Sequence, residues 1–224
     1  MIPLIKMRLL GYLRSGRFIL PLIAALVVLS ASYGGGRSSA ASAYGTSALL
    51  LFPILAWQTK LLLDTEPDGQ RRLVLTALGS RSREVTAGLL AAVLAAVPLI
   101  LIALVLPWIF DAVTTNDAGA GVLLGLWVHA IVTPAAIGIG AWSSRVISGS
   151  AGRATAVLTT TLVLAFVIGL RGSPVPWLAP PLVSTARTLD GTATAAAVGG
   201  LSVWALAWAA VAVAGYGWLR RSRA

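Results

Sequence analysis

Long apolar runs alternate with short polar segments along the whole chain. Six mostly apolar runs occupy positions 18–33, 44–63, 85–110, 119–142, 154–170 and 195–219. A helix of about 20 apolar residues crosses a bilayer, and backbone polar groups in lipid must pair internally. No charge lies near the middle of any run, and Lys60 sits close to the end of the second. The pattern therefore predicts an all-α membrane protein with six transmembrane helices.

Residues 1–17 carry a different pattern, that of an amphipathic helix. At 3.6 residues per turn, one apolar stripe contains Ile2, Ile5, Leu9, Tyr12 and Leu13. The flanking basic residues are Lys6, Arg14 and Arg17 on one side of the stripe and Arg8 alone on the other. This arrangement favours a helix lying in the membrane interface before the first span. A ragged extension of the first span is the alternative interpretation.

A cleaved signal peptide is another interpretation of the N-terminal region, with a small-residue site near 41–43. Its basic region is long for a signal peptide. Cleavage would also leave an odd number of spans and disturb the alternation of charge between loops. The sequence therefore favours a retained first span.

Basic residues are distributed unevenly between the loops. The chain has 17 Lys and Arg against 7 Asp and Glu, and a net charge of +10. With the N-terminus in the cytoplasm, 14 of the 17 basic residues lie inside and three, Arg37, Arg171 and Arg187, lie outside. Loops rich in Lys and Arg stay cytoplasmic, so both termini are predicted inside. The charge is expected to orient the protein and contact anionic lipid head groups rather than nucleic acid.

The segment between the second and third spans, residues 64–84, concentrates the polar surface. Together with the preceding turn it holds 9 of the 24 charged residues: Lys60, Asp64, Glu66, Asp68, Arg71, Arg72, Arg81, Arg83 and Glu84. The middle of the segment is amphipathic. A membrane protein with one such loop is expected to bind a partner through it.

The segment 171–194 mixes prolines with Trp177, Leu178, Leu182 and Val183. It is too apolar for a free extracellular loop and too interrupted to span. Either it dips into the outer interface as short helices, or it is a proline-rich loop lying on the surface. Farther inside the chain, Gly121 and Gly125 form a GxxxG pattern that permits close helix contact, although such matches arise easily in an Ala-rich sequence.

The sequence lacks the residues and motifs that several kinds of chemistry require. There is no cysteine, so neither a disulfide nor a thiolate site is possible, and no HExxH or GxSxG motif is present. The only lysines, Lys6 and Lys60, do not follow a glycine, so the chain has no phosphate loop. His129 is the sole ionisable candidate at membrane depth, as a packed neutral histidine or as a proton relay. No catalytic, metal or cofactor-binding residue is predicted.

This pattern resembles the permease subunit of an ABC-2 type ABC exporter. The resemblance is architectural and covers nearly the whole chain: an interfacial helix, six spans, a coupling helix over 65–78 and a re-entrant segment over 174–189. The family's order of acidic residue, glycine, short apolar helix and basic stretch is matched by Glu66, Asp68, Gly69, Leu73, Leu75, Leu78, Arg81 and Arg83. Its last outer loop is matched by Pro180, Pro181, Leu182, Val183 and Arg187.

The resemblance implies a non-catalytic cell-membrane subunit that moves an amphiphilic or hydrophobic cargo outward, such as a drug-like natural product, a peptide or a lipid. Its implied partners are an ATPase subunit, which carries ATP and Mg²⁺, and a second permease chain, identical or different. The implied ATPase-coupling interface consists of Asp64, Glu66, Asp68, Gly69, Arg71, Arg72 and Leu75. The haem-exporter permease of cytochrome c maturation is similar in size. The histidine and aromatic pattern expected for binding haem is only weakly present in this sequence.

Two other function classes stay open. One is a secondary transporter or channel that works without an ATPase, which would require an essential His129 or dependence on an ion gradient. The other is a membrane enzyme or assembly factor, which would need polar groups converging at one depth.

Overall fold

The computed structural model describes residues 1–115, 118–191 and 193–222, apart from the side chains of Asp68, Arg72, Leu78 and Ser222. The helices are α1 (Ile2–Arg14), α2 (Ile19–Ser32), α3 (Ala40–Leu63), α4 (Asp68–Leu78), α5 (Arg81–Ile109), α6 (Ala118–Trp142), α7 (Arg145–Ser148), α8 (Ala151–Ile168), α9 (Leu182–Asp190) and α10 (Ala195–Ser222). Two 3₁₀ turns cover Tyr33–Gly35 and Pro176–Leu178. The described residues contain no β-strand, in agreement with the predicted all-α class.

Among the described residues, five helices are long and apolar enough to cross a membrane: α3, α5, α6, α8 and α10. The count becomes six if α1 and the segment Ile19–Gly35 are taken as one span, although they meet at a bend of 73°. The chain turns between them at Gly16, whose φ of +69° favours glycine. The predicted N-terminal helix is therefore a separate element rather than a straight extension of α2.

Consecutive long helices run in opposite directions, so the bundle has two ends. At one end the backbone N–H of Arg145 donates to the carboxylate of Asp64 at 2.7 Å, joining the ends of α6 and α3. At the other end Ser38 pairs with the segment after α5, through its N–H to the Ala112 carbonyl at 2.9 Å. The first end also holds α1, α4 and the C-terminus of α10. We call it the basic end, because most Lys and Arg residues lie there.

The core forms around α3, whose most apolar stretch is 67% buried. Its closest partner is α6, and glycines on α6 allow the approach. A Cβ at Gly121 would lie 2.5 Å from the Ala40 Cβ, and one at Gly125 would overlap the ring of Tyr44. The predicted GxxxG contact is therefore present.

The segment 171–194 folds back among the long helices. The indole N–H of Trp208, halfway along the 28-residue α10, donates to the carbonyl of Leu178 at 2.8 Å. The chain then returns along α3 as α9, and Ser42 at the start of α3 donates to the carboxylate of Asp190 at 2.5 Å. The segment thus contains short helices, as one of the two interpretations expects. Its re-entry into a membrane stays a prediction.

Candidate functional site

The candidate site is the connector between α3 and α5, residues 64–80, with the charged side chains that hold it at the basic end. Its first residue, Asp64, is buried, with 5% of its surface exposed. Lys60 donates to one carboxylate oxygen at 3.0 Å, and the backbone of Arg145 donates to the other. The guanidinium groups of Arg17 and Arg145 donate to the Asp64 carbonyl at 3.0 and 3.2 Å. Asp64 therefore joins α3 to α7 and to the turn after α1.

Two residues further on, the connector enters a buried ion network. Arg8 of α1 donates to Glu66 at 2.8 Å, to a carboxylate oxygen of Glu84 on α5, and to the Glu84 carbonyl at 2.9 Å. Arg220 in the last turn of α10 pairs with the other carboxylate oxygen of Glu84. We call Arg8, Glu66, Glu84 and Arg220 the basic-end network. It links three helices and the connector.

Local sequence makes room for these charges. A Cβ at Gly88, one turn after Glu84, would lie 2.6 Å from a terminal nitrogen of Arg8, so glycine leaves space for the guanidinium. Glu84 occupies the first turn of α5 and Arg220 the last turn of α10. Each charge therefore also suits the dipole of its own helix.

The side chains of the network are almost fully buried. Their burial determines how the network contributes to the stability of the fold. The side chains of Arg8 and Glu84 are each 5% exposed, and that of Glu66 is 8% exposed. Burying a complete ion pair adds little net stability, but removing one partner leaves an uncompensated buried charge at a cost of about 3–5 kcal/mol. The network is therefore expected to fix the relative positions of its four elements more than to add stability.

Arg71 continues this arrangement into α4. It is buried, and its guanidinium donates to the carbonyls of Leu63 and Glu66 at 3.1 and 3.4 Å. The first turn of α4 is thereby held against the end of α3. The helix ends at Gly79, which has a φ of +59° and donates its N–H to the Leu75 carbonyl at 3.0 Å.

The opposite face of α4 points away from the bundle. Its exposed residues are Gly69, Leu73, Thr76 and Ala77, and Gln70, also exposed, donates to the sulfur of Met7 on α1 at 3.5 Å. Leu73, a large apolar side chain, is 72% exposed. α4 thus has a held inner face and an outward face suited to a protein partner.

The predicted interface residues divide between these two faces. Three of them are buried and have partners within the chain: Asp64, Glu66 and Arg71. They hold the first part of the connector against the bundle. Gly69 is exposed and Leu75 is half-buried. The side chains of Asp68 and Arg72 lie outside the described residues. Contact of this set with an ATPase stays a prediction.

The sequence alone did not predict that Arg8, Glu84 and Arg220 come together in the network. A signal for one of them was present, because Arg8 is the only basic residue on its side of the α1 stripe. The other two lie in the terminal turns of long apolar helices, where a charge is ordinarily read as a membrane-boundary residue.

His129 lies in the core, away from the connector, and is fully buried. Its Nδ1 donates to the Gly125 carbonyl, one turn earlier on α6, at 2.8 Å, and its Nε2 is 3.4 Å from the Ser47 hydroxyl of α3. These are the contacts of a packed histidine. Within the described part of the chain, no group of three or more His, Asp or Glu side chains could hold a metal ion.

Comparison of the chain with protein-family models, characterised proteins and solved structures found no match. Its function is therefore inferred from the sequence pattern and from the geometry of the connector.

Proposed function

We propose that this chain is the permease subunit of an ATP-driven ABC-2 type exporter in the cell membrane. The basic end faces the cytoplasm, where an ATPase subunit carrying ATP and Mg²⁺ docks on the outward face of α4. The complex moves an amphiphilic or hydrophobic cargo outward by alternating access. The chain itself performs no catalysis.

The observation that carries this proposal is the way in which α4 is attached. A force on a surface helix moves a spanning helix only if the two are firmly connected. From α4 the connection runs through Arg71 to the carbonyl of Glu66, and from the Glu66 carboxylate to Arg8. Arg8 then reaches Glu84, which pairs with Arg220. Movement of α4 would thereby reach α1, α5 and α10 together.

The absence of an internal energy source supports a separate ATPase. The sequence has no phosphate loop. A proton-coupled alternative would use His129, but that residue is hydrogen-bonded inside the α3–α6 contact and has no carboxylate among its hydrogen-bond partners. The geometry gives the ATPase-independent alternative no positive support.

The outward face of α8 supports a second permease chain. Only 17% of the most apolar stretch of α8 is buried, against 67% for α3. Its exposed residues include Gly152, Ala156, Thr159 and Thr160, and small or hydroxyl side chains permit close helix packing in lipid. By the family resemblance, the first and fifth spans, here α2 and α8, border the transport pathway. Weakly polar threonines beside valines suit an amphiphile better than a small ion.

The test is co-purification of an ATPase from the native membrane in mild detergent. Changing Leu73 and Ala77 together to Asp places two charges on the outward face of α4. Both side chains are exposed, so no packing is lost, and the weaker helix propensity of Asp near the end of α4 should lower the free energy of unfolding by only about 1–2 kcal/mol. We expect at least a tenfold loss of co-purified ATPase activity.

The matched control is Arg221→Asp, which makes the same change in net charge at the same end on α10, where Arg221 is exposed. This variant should retain the ATPase. If the unmodified chain purifies from its native membrane with no ATPase, the proposal fails. If both variants lose the ATPase equally, docking on α4 is wrong.

A further inference from the structure

An apolar groove opens at the elbow where the chain turns from α1 into α2. Its volume is about 380 Å³, within the range of roughly 300–1,000 Å³ typical of small-ligand pockets. Its apolar lining includes Leu9, Leu13, Phe18, Leu22, Ala95 and Pro98. α1, α2 and α5 therefore each contribute a wall.

The groove continues onto an apolar outer surface. Leu13 is 51% exposed, and Ile19, just past the turn, is 46% exposed. In a membrane protein such a surface faces lipid. A flexible hydrocarbon chain could therefore enter the groove from the side without crossing a polar barrier.

One wall of the groove is polar. Tyr12, 2% exposed, lines it, and its buried hydroxyl lies beside the side chain of Gln58. Gln58 lines the same wall and donates to the Ala95 carbonyl at 2.8 Å. Two polar side chains in an apolar groove suit a ligand that has polar atoms close to an apolar chain.

The elements that form the elbow carry exposed basic residues. Lys6 and Arg14 are exposed on α1, and Arg17, whose guanidinium donates to the Asp64 carbonyl, is exposed in the turn that follows. The chain has no Asp or Glu before Asp64, so no acidic residue of α1, the turn or α2 offsets these charges. Each basic residue near a membrane surface contributes about 1 kcal/mol toward anionic lipid. Charge and shape together select an amphiphile with an anionic head.

We propose that this groove binds an anionic phospholipid from the leaflet that the basic end faces. One acyl chain lies between α1, α2 and α5, and the phosphate lies beside Lys6 and Arg14. The lipid fills the elbow beside Tyr12, one turn after Arg8 on α1, and so holds α1 against the bundle. The proposal requires a membrane location but does not depend on an ATPase partner.

The test is native mass spectrometry of the full chain released from nanodiscs that contain equal amounts of phosphatidylglycerol and phosphatidylcholine. The unmodified chain should retain phosphatidylglycerol in preference. Ala95→Phe fills the groove and should abolish retention. Its matched control is Val97→Phe on the same helix, because Val97 is 43% exposed and does not line the groove.

Head-group recognition is tested by changing Lys6 and Arg14 together to Gln, which should weaken phosphatidylglycerol retention roughly 20-fold. The control changes Arg37 and Arg171, both exposed at the opposite end, to Gln with the same loss of charge. That control should retain the lipid. The Lys6 and Arg14 changes are on the surface, so this arm remains informative if Ala95→Phe fails to fold.

Three results would overturn the proposal. Equal retention of the two lipids would show a groove without head-group recognition. Equal losses in the two charge variants would show a general effect of net charge, and retention by Ala95→Phe would place the lipid elsewhere. All measurements use the isolated chain, so failure to find an ATPase would leave them unaffected.

Discussion

Glu84 is the residue on which the basic-end network depends. It accepts from Arg8 of α1 with one carboxylate oxygen and from Arg220 of α10 with the other. Glu66 pairs with Arg8. Loss of the Glu84 charge would therefore leave Arg220 without its carboxylate partner and Arg8 with one fewer.

Glu84→Gln tests this role. We expect the free energy of unfolding to fall by about 3–5 kcal/mol, because a partner is removed from a buried ion network. For a chain of this length that corresponds to a melting temperature lower by roughly 10 °C. The measurement is thermal unfolding of the purified chain in detergent.

The control is Arg37→Gln, which removes an exposed pair. Arg37 pairs with Asp111 at the opposite end, and their side chains are 60% and 71% exposed. Exposed pairs contribute at most about 1 kcal/mol, so the melting temperature should change by only a few degrees. Equal effects of the two variants would contradict the special role of the buried network.

At the scale of helices, the α3–α6 contact is set by glycine positions on α6. The ring of Tyr44 lies against Gly125 and cannot move away easily, because its hydroxyl is held on two sides. That hydroxyl donates to the Leu104 carbonyl at 2.9 Å and accepts from the indole N–H of Trp108 at 2.7 Å. One α3 side chain thus ties α6 to α5.

Gly125→Ala should therefore destabilise the protein. Overpacking of a filled core costs about 1–3 kcal/mol, which would appear as a lower midpoint of thermal unfolding in detergent. Gly119→Ala is the matched control on the same helix, since a Cβ there meets nothing within 4 Å. That control should be neutral or slightly stabilising, as alanine favours helix over glycine. A neutral Gly125→Ala would refute the close contact.

Most long helices could be predicted from the apolar runs, but the starts of α3 and α5 could not. The predicted span 119–142 agrees with α6, Ala118–Trp142, whereas the predicted starts at 44 and 85 are observed at Ala40 and Arg81. The earlier turns are small or polar, so hydropathy does not mark them. Side chains of Ser39 and Ser80 cap them by accepting from backbone N–H groups at 3.2 and 3.5 Å.

The connector helix was likewise predictable, since 65–78 contains α4, Asp68–Leu78. Its internal partners were not. Arg8 and Glu84 are separated by 76 residues, and Glu84 and Arg220 by 136. Which charges meet across such distances depends on how the helices pack, and the periodicity of a single helix does not determine that. The same reason explains why buried Glu66 and Arg71 looked like surface residues in the sequence.

At the scale of the whole molecule, membrane orientation can be measured with single cysteines, because the chain has no natural cysteine. Arg171→Cys, exposed at the opposite end, should react with a membrane-impermeant maleimide on intact cells. Arg153→Cys, exposed at the basic end, should react only after the cells are opened. The reverse pattern would contradict the predicted orientation.

Leu178→Cys extends this measurement to the folded-back segment. Leu178 is 50% exposed, yet its carbonyl bonds to Trp208 halfway along α10. If the segment enters the membrane, this cysteine should resist the maleimide on intact cells and after opening. Rapid labelling beside Arg171→Cys would show that the segment lies in water.

The basic-end network also has a consequence for biosynthesis. Arg8, Glu66 and Glu84 are all translated long before Arg220, the member contributed by α10. Until that last helix is inserted, Glu84 has only one of its two cationic partners, and its buried carboxylate is incompletely compensated. Completion of the network at the start of α5 therefore has to wait for the final helix. A chain that terminates before Arg220 should unfold at a lower temperature in detergent than the 224-residue chain and should be degraded faster in cells.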